Sequence, residues 1–195
     1  MRPHPLARQA VVVYDGAYRL LHGLDRAASE VGPALRVTTR RVRRRLVLPD
    51  GTPVDGGSQV GAIHLNNERV AALHGNGLTP VGVGLEFRRQ FVASLQALAA
   101  VAAPGQPLAD VTAFEAVTIF HQGLARLGFV PEPDGLRWPR LVAVYQRALL
   151  ASLHPDGALR LRHARYQEAR RLWLSRGALL RRYGRGGVRE AVDGA

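Results

Sequence analysis

The chain of 195 residues contains no cysteine, which removes disulfides and thiolate metal sites from consideration. A cysteine-free chain tolerates any redox environment, so nothing about compartment follows from this. Lysine is absent too: all 27 basic residues are arginine. Aromatic residues make up only 6%, too few to furnish the stacking platforms by which single-stranded nucleic acids are held. The opening stretch LARQAVVVYDGAYRLLHGL has no apolar run longer than AVVVY. A secretory signal needs about 7–15 apolar residues and a membrane span about 20. The expectation is a soluble, cytoplasmic protein without a transmembrane segment, at most peripheral to a membrane surface. Catalytic signatures are missing as well: there is no HExxH, no His-x-His and no GxSxG, and Gly82-Val83-Gly84 is not followed by Gly-Lys-Ser/Thr. No metal and no cofactor are expected on these grounds.

What is present is an ordinary globular composition, 47% hydrophobic and 22% charged, of a length that suits one domain. The net charge of +12 stands out. An arginine-only, alanine- and glycine-rich chain is what a GC-rich genome yields by mutation bias. The functional reading is attraction to phosphates, whether of nucleic acid, lipid head groups or nucleotide-activated substrates. Composition alone leaves both open.

Residues 6–29 read as a helix through Val11, Tyr14, Tyr18, Leu21 and Leu24, ended by Gly32-Pro33. ALRVTTRRVRRRLVLPDGTPV reads as a strand, a turn at Pro49-Asp50-Gly51 and a second short strand. Extended through this stretch, Arg41, Arg43 and Arg45 share one face while Arg40 and Arg44 lie on the other. A strand charged on both faces belongs at a sheet edge. Gln59 to Leu65 is the next strand, Asn66 or Asn67 caps a short helix through Val70 and Leu73, and GNGLTPVGVG is a flexible connection. Leu85 to Ala102 is a helix with the stripe Phe87, Phe91, Leu95, Leu98 and Ala102. Val111 to Ala116 forms a strand, and Thr118 caps a helix that runs to Leu127 and stops at Gly128. Pro139 opens a helix whose Leu141, Val144, Ala148 and Leu149 face inward. Arg171 to Leu174 is a strand, and Ser175 caps a last helix through Leu179 and Tyr183. The sum is a single α+β domain, with a small, mainly antiparallel sheet packed with about five or six helices. Residues 1–10 form a lead-in, 11–184 the domain and 185–195 a flexible tail.

Two histidines sit at segment boundaries. His64 lies in GAIHLNNERV with Asn67 close behind. Thr118 and His121, three apart, would share a helix face. A histidine beside a hydroxyl and an amide suits acid–base work; the alternative is that Asn67 and Thr118 cap and the histidines bond backbone. The candidate catalytic set is thus His64, Asn67, Thr118 and His121. The candidate anion-binding set is Arg40, Arg41, Arg43, Arg44 and Arg45, charge with little aromatic interleaving.

Taken together, DGAYRLLHGL, LPDGTPVDGGSQVGAIHLNNERV, AVTIFHQGLARLGF and LWLSRGALLRRYG resemble the YkoP-like family over residues 11–184. These are small bacterial proteins of unestablished activity, some appended to polysaccharide deacetylases or lying near glycosyltransferase genes. The matching positions are Gly51, Gly61, His64, Asn67, Thr118, Gly123, Leu127, Gly128, Phe129, Trp173, Ser175 and Tyr183. Ser58 and Ala116 depart from the pattern, standing where an acidic residue and a glycine are expected. The resemblance implies a cell-envelope context. It makes the expected function a non-catalytic accessory or binding module of envelope polysaccharide or glycolipid metabolism, its basic surface meeting an anionic glycan or phospholipid. The alternatives are an uncharacterised hydrolase or transferase using His64 and His121, or a non-specific nucleic-acid binder, which is not favoured. Whether the chain is an enzyme, and its oligomeric state, stay open.

Overall fold

A computed structural model describes residues 30–66, 72, 79–132, 136, 138–153 and 168–184. The strands are β1 (Glu30–Val31), β2 (Leu35–Arg41), β3 (Leu46–Val47), β4 (Pro53–Val54), β5 (Gln59–Leu65), β6 (Ala113–Thr118), β7 (Val130–Pro131) and β8 (Arg170–Ser175). The helices are α1 (Pro80–Val101), α2 (His121–Arg126), α3 (Pro139–Leu153) and α4 (Arg176–Tyr183). Six strands form one sheet in the order β1-β2-β5-β6-β8-β7, and β3 and β4 form a separate pair. The described residues fall into two compact units, a larger one of Glu30–Ala116 with Trp173–Gly184 and a smaller one of Val117–Leu172.

The larger unit is built on the β2–β5 ladder. It is antiparallel and in register from Leu35 opposite Leu65 to Arg41 opposite Gln59. Alternate side chains take opposite faces. Leu35, Val37, Ile63 and Leu65 therefore share one face, and Arg36, Thr38, Arg40, Ala62 and His64 the other. β6 runs parallel to β5 with Gly61 beside Phe114 and Ala62 beside Glu115. Phe114 thus joins the apolar face and Glu115 the polar one.

Gly61 shows how tight the apolar face is. A Cβ there would sit 2.5 Å from Cδ1 of Phe114 and 3.3 Å from Cγ1 of Val37. The Phe114 ring fills the space over Gly61, and it is fully buried.

α1 starts five residues before the expected Leu85. Thr79 caps it, its hydroxyl accepting the Gly82 N–H at 3.2 Å, and proline occupies the first turn. The cap and the fixed proline φ outweigh Gly82 and Gly84, so part of the stretch read as a connection is helix. Phe91, Leu95, Leu98 and Ala102 are buried, as the stripe predicts. Ser94, buried on the same helix, donates to the Gln90 carbonyl and accepts the Ala34 N–H at 2.9 Å. The β1–β2 turn lies so close that a Cβ at Gly32, whose φ is +64°, would fall 2.7 Å from the Ser94 Cα.

α4 packs against α1. Ser175 caps it by accepting the Ala178 N–H at 3.1 Å, and Gly184 ends it. The Arg176 N–H bonds the Thr112 carbonyl, while its Nε bonds the Ala102 carbonyl at 2.7 Å.

In the smaller unit Ile119, Ala143 and Ala169 are buried, with Val117, Leu136 and Val142 packed against them. Gln146 of α3 donates to the Val117 carbonyl at 2.7 Å and accepts the Ile119 N–H at 2.9 Å. Its amide thereby holds the backbone just where β6 ends.

Three expectations need correction. The class is α+β, but the described residues hold four helices, not five or six. The sheet is mixed and, with six strands, larger than the small one expected: the β1–β2 and β2–β5 pairs are antiparallel, while β5 and β6 are parallel. These two strands are joined through α1, a βαβ crossover of the kind that parallel neighbours require. Lastly, α3 is turned the other way: Leu141 and Val144 are 66% and 52% exposed and Ala148 is exposed, while Ala143 is buried. The small Ala143 and the bonded Gln146 form the inward side, so apolar spacing pointed to the wrong face. The helix expected over 6–29, the short helix through Val70 and Leu73 and the tail 185–195 lie outside the described residues.

Gly61→Ala should destabilise the protein by about 1–3 kcal/mol, the usual cost of forcing a methyl into a packed core, measured by chemical denaturation. A variant as stable as wild type would show that Phe114 moves aside freely.

Candidate functional site

The polar face of the sheet carries a run of charged and hydrogen-bonding groups. Arg36, buried, reaches Glu30 with Nη2 at 3.1 Å from Oε1. The buried Asn66 donates its amide to the same Oε1 at 3.4 Å, and its backbone N–H bonds the Ala34 carbonyl. Nε2 of His64 lies 3.4 Å from the Thr38 hydroxyl, long for a hydrogen bond. Farther along, Arg40 grips Glu115 with both arms, Nε at 2.5 Å and Nη2 at 2.7 Å. The Glu115 side chain is only 9% exposed, against 42% for Arg40. A bidentate guanidinium–carboxylate pair is the strongest of the charge-assisted geometries, and the carboxylate's burial depends on it.

Thr118 and His121 are placed differently from what their spacing suggests. His64 belongs to the larger unit, whereas Thr118 and His121 belong to the smaller one, and Asn67 lies outside the described residues. Thr118 is the last residue of β6 and His121 the first of α2, so they share no helix face. The Thr118 hydroxyl accepts the Phe120 N–H at 3.0 Å, a local turn contact rather than a helix cap. Among the described residues no group of three His, Asp or Glu side chains gathers as a metal site.

The arginine segment also differs from its reading as a continuous strand. β2 ends at Arg41, Val42 is buried and bonded to Ser58 and Gly57, and Arg43 and Arg44 form a bend. The bend interrupts the alternation, and Arg43 to Arg45 sit at the tip of the long β2–β5 hairpin. Arg41 bonds the Gly57 carbonyl at 3.0 Å, and Arg45 meets Asp55 at 3.2 Å with both side chains well exposed. Arg43 and Arg44 are exposed and form no ion pair among the described residues. Of the five arginines proposed for anion binding, then, Arg40 is taken up by Glu115, which sequence reasoning missed. The signal was Arg36, Thr38 and Arg40 at period two, a polar strand face needing polar partners across the sheet.

Beside the tip, the β3–β4 turn is fixed by Asp50. Its Oδ1 accepts the Thr52 N–H at 3.0 Å, while Oδ2 accepts the Ser175 hydroxyl at 2.5 Å. Desolvation works against ionisation of Asp50, but the bonds from Ser175 and Thr52 and the nearby Arg181 outweigh it and hold the carboxyl below its ordinary value of 3.8. A carboxylate at a helix N-terminus also meets the positive end of the helix dipole.

The family model for the YkoP domain matches residues 6–183. The chain belongs to the YkoP domain family. No curated protein and no solved structure matches it. Most positions that carry the resemblance perform folding tasks. Gly51 and Gly128 have φ of +82° and +91°, Gly61 makes room for Phe114, and Ser175 caps α4. Phe129, Trp173 and Tyr183 are buried.

Arg40→Gln should lower stability by about 1–3 kcal/mol, since it leaves a buried carboxylate short of its bidentate partner, and should leave polyanion binding unchanged. Denaturation and a salt titration on the same variant check both. Asp50→Asn keeps one oxygen for two donors and should cost about 0.5–1 kcal/mol at neutral pH, the scale of one exposed hydrogen bond. Because the folded pKa is lowered, that stability is present above the unfolded value and is lost as pH falls through the folded one. Melting curves of wild type and variant should therefore differ constantly from pH 8 to 5 and converge below about pH 4.

Proposed function

We propose that this YkoP domain is a non-catalytic binding module of cell-envelope polysaccharide or glycolipid metabolism, cytoplasmic in location. It holds an anionic partner on the tip of the β2–β5 hairpin. The observation that carries this reading is the pair Arg43 and Arg44, exposed and without an ion pair among the described residues. From residue 41 to 58 the sequence has four arginines against two aspartates, and Asp50 is occupied by Ser175 and Thr52. Within a Debye length of about 8–10 Å these guanidinium groups act together on one phosphate-bearing ligand. The family resemblance supplies the envelope context. The enzyme reading on His64 and His121 gains no comparable support, because Thr118 serves a local turn and shares no helix face with His121.

Binding of a fluorescently labelled, phosphate-bearing glycan should weaken with salt, log affinity falling with log salt with a slope of about −2 to −3 for two or three neutralised phosphates. R43Q/R44Q should flatten that slope by about 2. Labelled duplex DNA of equal charge serves as the comparison. Equal binding by wild type and variant sinks the tip as the contact, and tighter binding of DNA turns the reading toward nucleic acid.

A further inference from the structure

The outward face of α3 is apolar, and it is the stripe that spacing alone assigns to a core. Leu141, Val144, Tyr145 and Ala148 recur at i, i+3, i+4 and i+7, one side of a helix. Trp138 precedes them by one more turn, its carbonyl accepting the Val142 N–H at 3.1 Å. Trp138, Leu141 and Val144 are 61%, 66% and 52% exposed. Large apolar groups scattered singly on a surface are ordinary, but three in line on one helix mark a contact surface. Among the described residues Ala143 and Gln146 form the inward side, and the stripe takes no part in that packing.

Charge decides what covers it. From Leu136 to Leu153 the sequence has three arginines and no acidic residue. Arg140 and Arg147, seven apart, flank the stripe along one side; Arg140 is 86% exposed and lies 3.7 Å from Glu168. A second copy docking antiparallel about a two-fold axis would bring Arg140 of one copy against Arg147 of the other. An anionic bilayer surface instead offers phosphates to the arginines and an acyl boundary to the stripe, with a tryptophan at the end, where interfacial helices carry one. No described helix is long and apolar enough to cross a membrane, so the helix would lie along the surface.

We propose that α3 is a membrane-surface anchor that lays Trp138, Leu141 and Val144 into the interface of an anionic bilayer. This surface belongs to the smaller unit and stands on observations independent of the arginine tip.

The two tryptophans of the chain make the test direct. Trp173 is 1% exposed, so a change in emission on binding reports Trp138. With phosphatidylcholine vesicles containing phosphatidylglycerol, the emission should shift to the blue and be quenched by lipids brominated near the headgroup. Phosphatidylcholine alone should give neither effect. L141D/V144D should lower vesicle partitioning about tenfold or more, as expected for losing the insertion of two aliphatic side chains, with an unchanged melting temperature. The milder L141Q/V144Q serves as a second variant should the aspartates perturb folding. R43Q/R44Q should retain the blue shift. The anchor is overturned if wild type ignores anionic vesicles, if the α3 variants partition like wild type, or if R43Q/R44Q alone abolishes the shift. It is likewise overturned if the α3 variants convert a dimer to a monomer by sedimentation.

Discussion

Around the first turn of α4, four separate parts of the larger unit are joined by a few hydrogen bonds. The Ser175 hydroxyl accepts the Ala178 N–H and donates to Asp50, so one oxygen both caps the helix and fixes the β3–β4 turn. Arg176, the next residue, bonds the carbonyls of Thr112 and Ala102. Those are the residue before β6 and the C-cap of α1. The hairpin turn, the sheet, the long helix and the closing helix thus share one junction. Such a junction is cooperative: each bond keeps the next donor in place, and the loss of one loosens groups distant in sequence.

Two kinds of arginine follow from this frame. Arg36 and Arg40 lie within β2, where the strand face commits them to Glu30 and Glu115, and their charge is spent on holding buried or half-buried carboxylates. Arg43 and Arg44 come after the strand has ended and have no such obligation. A strand face is satisfied by the strands beside it, while a bend at a hairpin tip faces water. The position of the strand end, fixed by the burial of Val42 and its bonds to Ser58 and Gly57, separates structural charge from available charge.

Where local chemistry decides the outcome, the sequence was readable. β5 runs from Gln59 to Leu65 as its composition indicates, the Pro49-Asp50-Gly51 turn forms, and Ser175 caps a helix that Gly184 ends. Each depends on neighbours within a few residues. What was not readable depends on partners far along the chain. The parallel pairing of β5 with β6 is set by the α1 crossover, and the inward side of α3 by what Gln146 can reach. Apolar periodicity reports that a helix has an apolar face, but not whether a core or a partner covers it. Of the candidate site, the exposed Arg43 and Arg44 were legible as charge; the commitment of Arg40 to Glu115, 75 residues away, was not.

The strand order carries a consequence for the timing of folding. β8 lies between β6 and β7, although it follows both in the chain. During synthesis β6 therefore emerges with one hydrogen-bonding edge open, and more than 50 further residues must leave the ribosome before residues 170–175 can close it. An open edge on a nascent chain invites pairing with the wrong strand. The insertion is also a long-range closure, the slow kind. The short polar contact between Asp50 and Ser175, 125 residues apart, then acts as a latch that forms only once the last strand has found its slot.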